Sequence, residues 1–314
     1  MAEGEGFSIL LDTAARLPAD LPRGISRVRL LPDPGLGELW NSIHVETSVK
    51  DRLLSQAVQN FTVRKAVSRS VLPLHGIILL VGPPGTGKTS LARGLSSRLA
   101  ASFQGGRFRL VEVDPHQLSS SAMGKTQRAV SELFSEGLTS VAGDAPTVVL
   151  LDEVETLAVD RSRLSMDANP IDVHRATDAV LVQLDALAES HPNILFVATS
   201  NFPKALDGAF TSRCDLVLEV PPPTLDGCRS IVEDCLSGVA RAFPPIGRLR
   251  TSDSLDRLAT ACVGLDGRAV RKAIANGLAS SPEIAMDPGS VRLDDLLRAV
   301  QAAKASRAHL GGVA

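Results

Sequence analysis

The sequence predicts an α/β fold: a five-stranded parallel sheet flanked by helices, followed by a small all-α domain. Three observations predict it. Five short apolar runs alternate with helical stretches along the first two thirds of the chain. Three consecutive prolines, Pro221, Pro222 and Pro223, close the last run. Beyond them the apolar pattern is helical only.

Each element follows in order. Residues 1–38 are rich in Pro and Gly and lack sustained periodicity. They are expected to form an extended N-terminal arm with one strand near Ile25–Leu31. From Leu39 to about Arg69 the pattern is helical. The runs are Ile77–Val81, Phe108–Val113, Thr147–Leu151, Ile194–Thr199 and Leu216–Val220, almost continuously apolar. A strand covered on both faces reads this way. Helices between successive strands imply right-handed crossovers and a parallel sheet. Pro221–Pro223 cannot extend a ladder, so they make a stiff connector. Helical segments follow at about 224–240, 252–263, 266–280 and 292–308. The expected division is an arm (1–38), a large α/β domain (39–223) and a small helical lid (224–314).

Composition narrows the function classes. The 314 residues carry a net charge of −2, and aromatic residues make up 3% with no Tyr. That balance disfavours a nucleic-acid partner, which would call for a basic surface or aromatic stacking platforms. The four cysteines, Cys214, Cys228, Cys235 and Cys262, form no CxxC pair and have no His at metal-ligand spacing. They read as reduced thiols. The N-terminal apolar run is short and preceded by acidic residues, unlike a signal peptide. No apolar stretch approaches the roughly 20 residues of a membrane span. A cytoplasmic protein is the expectation.

The chemistry lies in a few motifs. Gly82-Pro83-Pro84-Gly85-Thr86-Gly87-Lys88-Thr89 has the form GxxxxGK[ST], after one expected strand and before a helix that starts near Ser90. Glycines there let backbone N–H groups turn toward phosphates, and the helix N-terminus adds partial positive charge. Lys88 is expected on the β- and γ-phosphates of ATP, and Thr89 on Mg²⁺. The run Thr147–Leu151 ends in Asp152 and Glu153. Asp152 is expected to hold the magnesium shell, and Glu153 to orient and deprotonate the attacking water. Thr199-Ser200-Asn201 ends the next strand, at the sheet edge where ligands lie. The Asn201 amide could position water beside the γ-phosphate. Arg213, just before the last strand, could enter a neighbouring subunit's site as an arginine finger. Arg268, in Gly264-Leu265-Asp266-Gly267-Arg268, could touch the γ-phosphate from the small domain. Each arginine also reads as a surface ion pair.

In this order the motifs resemble those of the AAA+ ATPases over about residues 39–310. The segments LWNSI, GPPGTGKTSLAR, LLDEVETLAVDR, NPIDVHRATDAVLVQLD, ATSN and GLDGRAVRKA are similar to the pachytene checkpoint protein 2 family, remodellers of HORMA-domain proteins. The resemblance implies Walker A roles for Lys88 and Thr89 and Walker B roles for Asp152 and Glu153. It makes Asn201 sensor 1 and Arg268 sensor 2, places Arg213 at the finger position, and puts Ile43 beside the adenine. It also implies a homo-hexameric ring around a pore.

The chain departs from the family in two places. Eukaryotic members carry a substantial N-terminal domain, whereas here about 38 residues precede the match. The chain therefore resembles the short bacterial form, associated with HORMA proteins and cyclic-nucleotide synthases in CBASS antiphage signalling. The pore-loop position, usually an aromatic-hydrophobic pair, holds Ala122-Met123, followed by Gly124 and Lys125. Met123 is long and polarisable and can grip a peptide; Ala122 cannot. A second pore loop is expected between Arg161 and Asn169. The implied function is an ATP-driven remodeller that opens or disassembles HORMA complexes, with a HORMA protein alone or bound to a cyclic-nucleotide synthase as partner. Three alternatives stay open: a Rubisco-activase-like remodeller, an unfoldase feeding a protease, and a nucleotide-gated scaffold.

Overall fold

A computed structural model describes residues 20–118, 125–158 and 170–311. Ala122, Met123, Gly124 and the segment from Arg161 to Asn169 lie outside the described residues. Of the expected first pore loop only Lys125 falls within them, as the first residue of a helix.

The sheet has six strands, not five. They are β1 (Ile25–Leu31), β2 (Ile77–Val81), β3 (Phe108–Val113), β4 (Thr147–Leu151), β5 (Ile194–Ser200) and β6 (Leu216–Glu219), in the order β1-β3-β4-β5-β2-β6. The five expected strands are parallel to one another. The strand anticipated in the arm is the sixth, antiparallel to β3, pairing Ile25 with Val113 and Leu31 with Phe108. Only Ile25 and Leu31 of β1 are fully buried. An edge strand with so few buried positions has a weak apolar signature, and that hid its membership of the sheet.

The helical stretch expected from Leu39 to about Arg69 comprises two helices. Helix α1 spans Pro34–Ser42 and α2 spans Thr47–Ala66. The first begins earlier than its apolar pattern does. Asp33 caps it, accepting from Leu36 N at 3.0 Å, and Pro34 sits at its first position. Between the two helices Ile43 is extended, and this break lines the nucleotide cleft described below.

Helix α3 (Lys88–Ala101) follows β2. Helices α4 (Lys125–Glu132) and α5 (Leu138–Ala142) are joined by a π-helical turn over Leu133–Gly137. Helix α6 (Pro170–Ser190) precedes β5, and the short α7 (Gly208–Thr211) precedes β6. Two apolar cores sandwich the sheet. Ile77, Leu79 and Val81 join one, with residues of α4, α5 and α6; Ile78 and Leu80 join the other, with residues of α1, α2 and α3. Strand residues alternate faces, so a strand with a core on each side must be apolar throughout.

After the prolines come α8 (Leu225–Ala240), α9 (Ser252–Cys262), α10 (Gly267–Gly277), α11 (Pro282–Met286) and α12 (Leu293–Gly311). A third core, from Cys228 to Val300, is built from this region alone. Side-chain caps open four of the five: Thr224, Thr251, Asp266 and Ser281 each accept from a backbone N–H. Among the described residues no helix is long and apolar enough to cross a membrane.

Candidate active site

The glycine loop leaves the C-terminal end of β2 and enters α3. Three of its glycines have positive φ: Gly82 at 148°, Gly85 at 85° and Gly87 at 96°. A side chain would also collide. A Cβ on Gly82 would lie 2.4 Å from Val220 O, and one on Gly85 2.2 Å from Asp266 Oδ1. Glycine is therefore demanded both by backbone conformation and by close approach of the last strand and the helical region.

Lys88 is 5% exposed. Its ammonium donates to the carbonyls of Gly82 and Pro83 and to Asn201 Oδ1, each at 2.8 Å. Burial pushes it below the usual lysine range, as does Arg268; Glu155, Asp152 and Glu153 pull the other way. Such a cation, set among acids at a helix N-terminus, is a site for phosphate.

Asp152 and Glu153 follow β4 with different geometries. Asp152 Oδ1 accepts from Thr89 Oγ1 at 2.7 Å and from Thr199 Oγ1 at 2.5 Å. Glu153 is the only described residue other than glycine with positive φ, at 51°. Such a conformation is uncommon for a side-chain-bearing residue. It is held by Glu153 N donating to Thr199 Oγ1 at 3.1 Å and by Thr156 N donating to Glu153 O at 3.0 Å. Asn201 Nδ2 donates to Glu153 Oε1 at 3.3 Å. Asn201 thus bridges Lys88 and Glu153.

Thr89 and Asp152 supply one hydroxyl and one carboxylate, already in contact. Oxygen donors in this small number suit magnesium, which keeps several waters and takes further ligands from phosphates. Among the described residues no cluster of three or more His, Cys, Asp or Glu could hold a metal by itself.

Beside the loop lies a cavity of about 380 Å³. Its walls include Ile43 and His44 from the break after α1, Thr86 and Ser90 from the loop and α3, and Ile231 and Arg268 from the helical region. The two regions also bond here: Arg268 N donates to Gly85 O at 3.2 Å. Arg271 Nη2 donates to Ser42 O at 3.0 Å, and Asp234 on α8 meets His44 Nε2 at 2.7 Å and Arg271 at 3.8 Å.

The structure thus brings together Ile43, Gly82–Ser90, Asp152, Glu153, Asn201 and Arg268. Arg213 stands apart, in the ion pair that its surface reading allowed. It meets Asp185 through Nε to Oδ1 at 2.9 Å and Nη2 to Oδ2 at 2.7 Å. Two residues on, Asp215 accepts from the backbone of His75, Gly76 and Ile77 at the start of β2. The glycine loop leaves the other end of that strand, so Arg213 does not face its own chain's cleft.

Several site residues had no role assigned from sequence. Thr199 links Asp152 to the Glu153 backbone. Glu155 accepts from Asn201 N at 3.1 Å, and its Oε2 is buried with no hydrogen-bond partner among the described residues. Asp266 caps α10 and pairs with Arg307, directly against Gly85. Thr199 and Glu155 lie inside the quoted segments ATSN and LLDEVETLAVDR, within two residues of Asn201 and Glu153. Asp266 carried a signal too, an Asp at the very start of the helical run, where an N-cap is expected.

Residues 78–222 match the model of the ATPase family associated with various cellular activities (AAA). The chain is 60% identical over 293 residues to CD-NTase-associated protein 6 of Pseudomonas aeruginosa, covering 93% of this chain and 96% of that one. It is 34% identical to a pachytene checkpoint protein 2 homologue of Arabidopsis thaliana, covering 77% of this chain and 59% of the relative. The chain spans less than two thirds of that relative's length. Among solved structures, C. elegans PCH-2 superposes with a TM-score of 0.72 at 25% identity, covering 93% of this chain and 78% of the other. A chain of the E. coli MS115-1 HORMA:CdnC:Trip13 complex superposes with a TM-score of 0.71 at 18% identity, covering 88% and 94%; this second likeness is one of fold. The motifs, the six-stranded fold and these relatives agree: the chain belongs to the AAA+ ATPases and, among them, to the pachytene checkpoint protein 2 group, in the bacterial form represented by CD-NTase-associated protein 6.

Proposed function

We propose that this chain is an ATP-hydrolysing remodeller that assembles into a hexameric ring and uses its pore to open or disassemble HORMA-domain complexes. In bacteria this activity restrains CBASS antiphage signalling in the cytoplasm. The observation that carries the reading is the bipartite cleft. A nucleotide there touches the glycine loop, Ile43 and the helical region at once, because Arg268 N already reaches Gly85 O. Loss of its terminal phosphate therefore changes contacts on both sides of the cleft, and the helical lid (224–314) moves against the ATPase domain (39–223). The partner class comes from the relatives' names, CD-NTase-associated protein 6 and the HORMA:CdnC:Trip13 complex.

In the chemical step Lys88 and the loop N–H groups bind the β- and γ-phosphates. Thr89 and Asp152 would hold magnesium, which neutralises charge on the phosphates. Glu153 accepts a proton from water as the water oxygen bonds to the γ-phosphorus, and ADP leaves. Asn201, bonded to both Lys88 and Glu153, orients that water. Arg268 contacts the γ-phosphate from the lid, and Arg213 acts on a neighbour's nucleotide. Met123 and Lys125 face the pore and grip the substrate, with Ala122 before them and Gly124 between them.

The test is the steady-state ATPase rate with and without a purified bacterial HORMA-domain protein. Stimulation by that protein, lost in Met123→Ala, is the expected result. Glu153→Gln should bind ATP and substrate yet lose about 10²–10⁴-fold in kcat; wild-type turnover by that variant would remove Glu153 from its role. Robust hydrolysis indifferent to any HORMA protein would move the substrate to another class, a Rubisco-activase-like or protease-feeding one. Binding of ATP without turnover would make the chain a scaffold.

A further inference from the structure

Arg213 and Asp185 form a two-bond ion pair outside the nucleotide cleft. Asp185 lies near the C-terminal end of α6 and takes the side of the guanidinium formed by Nε and Nη2. Nη1 donates to Ala209 O at 2.7 Å. An arginine has five N–H donors, so two remain, one each on Nη1 and Nη2. The arginine side chain is 25% exposed and the aspartate 39%. An exposed pair of this kind adds little to stability.

The carboxylate is itself held. His75 Nε2 lies 3.6 Å from Asp185 Oδ1, and Arg69 donates to the Asp185 backbone carbonyl at 3.4 Å. Just beyond Arg213, Asp215 is fixed by three backbone N–H groups at the start of β2. Asp185 therefore sits on a helix, and Arg213 in a short turn between α7 and β6 that Asp215 ties to the start of β2. The Arg213 guanidinium holds the Asp185 carboxyl below the usual aspartate range, so the pair stays charged at neutral pH.

The side of the guanidinium that Asp185 takes matters. A carboxylate that masked the arginine would cover its end, the edge between Nη1 and Nη2. Asp185 takes the lateral edge and leaves a donor on each terminal nitrogen. A guanidinium held laterally also has less rotamer freedom to lose when it meets an oxyanion.

We infer that Asp185 is a positioning residue for ATP hydrolysis: it aims the Arg213 guanidinium so that its two remaining donors reach the nucleotide bound to a neighbouring copy. The inference rests on the proposed reading of Arg213 as an arginine finger in a ring. Asp185 touches no substrate and acts only through Arg213.

Asp185→Asn keeps the shape and removes one of the two acceptors. It should lower kcat by about 10-fold or more, as displacement of a reacting group does, with KM for ATP changed less than about twofold. Asp185→Glu should retain more activity than Asp185→Asn. The decisive measurement mixes Asp185→Asn with Glu153→Gln. Each is impaired alone, but in a mixed ring an intact Glu153 can face an aimed Arg213 from its neighbour. ATPase activity above the sum of the two separate proteins is expected; a misfolded variant would give none. Absence of rescue, wild-type turnover by Asp185→Asn, or turnover faster than wild type would each overturn the inference. Arg213→Lys, measured alongside, separates the two readings. If it keeps wild-type kcat, the finger falls and Asp185 with it. If it loses kcat while Asp185→Asn does not, only the role of Asp185 falls.

Discussion

Thr199 occupies the centre of the site. Its hydroxyl donates to Asp152 Oδ1, while Glu153 N donates to the same hydroxyl oxygen. One side chain thus sets the orientation of the carboxylate that would hold magnesium and supports the left-handed backbone of the residue beside it. Partners that orient a metal ligand influence affinity strongly, by about 10–100-fold. Thr199→Val keeps the shape and removes both bonds. Its apparent magnesium affinity in the ATPase assay should fall about 10-fold or more, while binding of nucleotide without metal stays near wild type. Unchanged magnesium dependence would mean that Thr89 alone sets the carboxylate. At this scale the sequence was most legible where chemistry permits few residue types, as at Lys88, Thr89 and Glu153. Thr199 and Glu155 escaped a role because their work is done through bonds to residues that are distant in sequence. Glu155 accepts from a backbone N–H 46 positions away, which no spacing rule reveals.

Helices and strands show where local pattern suffices. Three of the five expected strands, β2, β3 and β4, have the bounds read from the apolar runs, because two covering cores leave few polar positions in them: none in β2, Arg109 and Glu112 in β3, and Thr147 in β4. Strand β5 runs one residue longer, to Ser200, and β6 one residue shorter, to Glu219. The first two helices were less legible. Their apolar residues look continuous across the break at Ile43–Glu46, and only the cleft explains the extended backbone there. Helix α1 lies against α3 at Gly94, where an added Cβ would meet Trp40 N at 2.6 Å and Trp40 Cα at 2.7 Å. Alanine would favour the helix by about 1 kcal/mol, but overpacking costs about 1–3 kcal/mol. Here the clash is with backbone, which cannot rotate away, so overpacking dominates. Gly94→Ala should lower Tm by several degrees in a thermal melt without nucleotide. An unchanged or raised Tm would mean that α1 slides freely over α3.

The whole molecule joins its two regions around the cleft. Asp234 receives both His44 and Arg271, and Arg271 also bonds Ser42 O. The break between α1 and α2 that walls the cavity is thereby tied to α8 and α10. Asp234 is 46% exposed, so each contact contributes modestly, about 0.2–1 kcal/mol. Asp234→Ala should weaken binding of a fluorescent ATP analogue by about 2–5-fold. The difference should shrink at high salt, which screens exposed charges. Equal affinity of both proteins at low salt would show that the tie does not shape the pocket. From the sequence alone came the alternation of strands and helices, the helical region after the prolines, and the phosphate loop with its acidic partners. Those features rest on short-range rules: side-chain periodicity, proline and glycine backbone limits, and the few side chains able to handle phosphate. Only the tertiary structure decided that β1 closes the sheet edge, that Thr199 and Glu155 support the site, and that Arg213 is held by Asp185 away from its own cleft. Each of these depends on groups far apart in the chain meeting in space, and a linear pattern carries no record of such meetings.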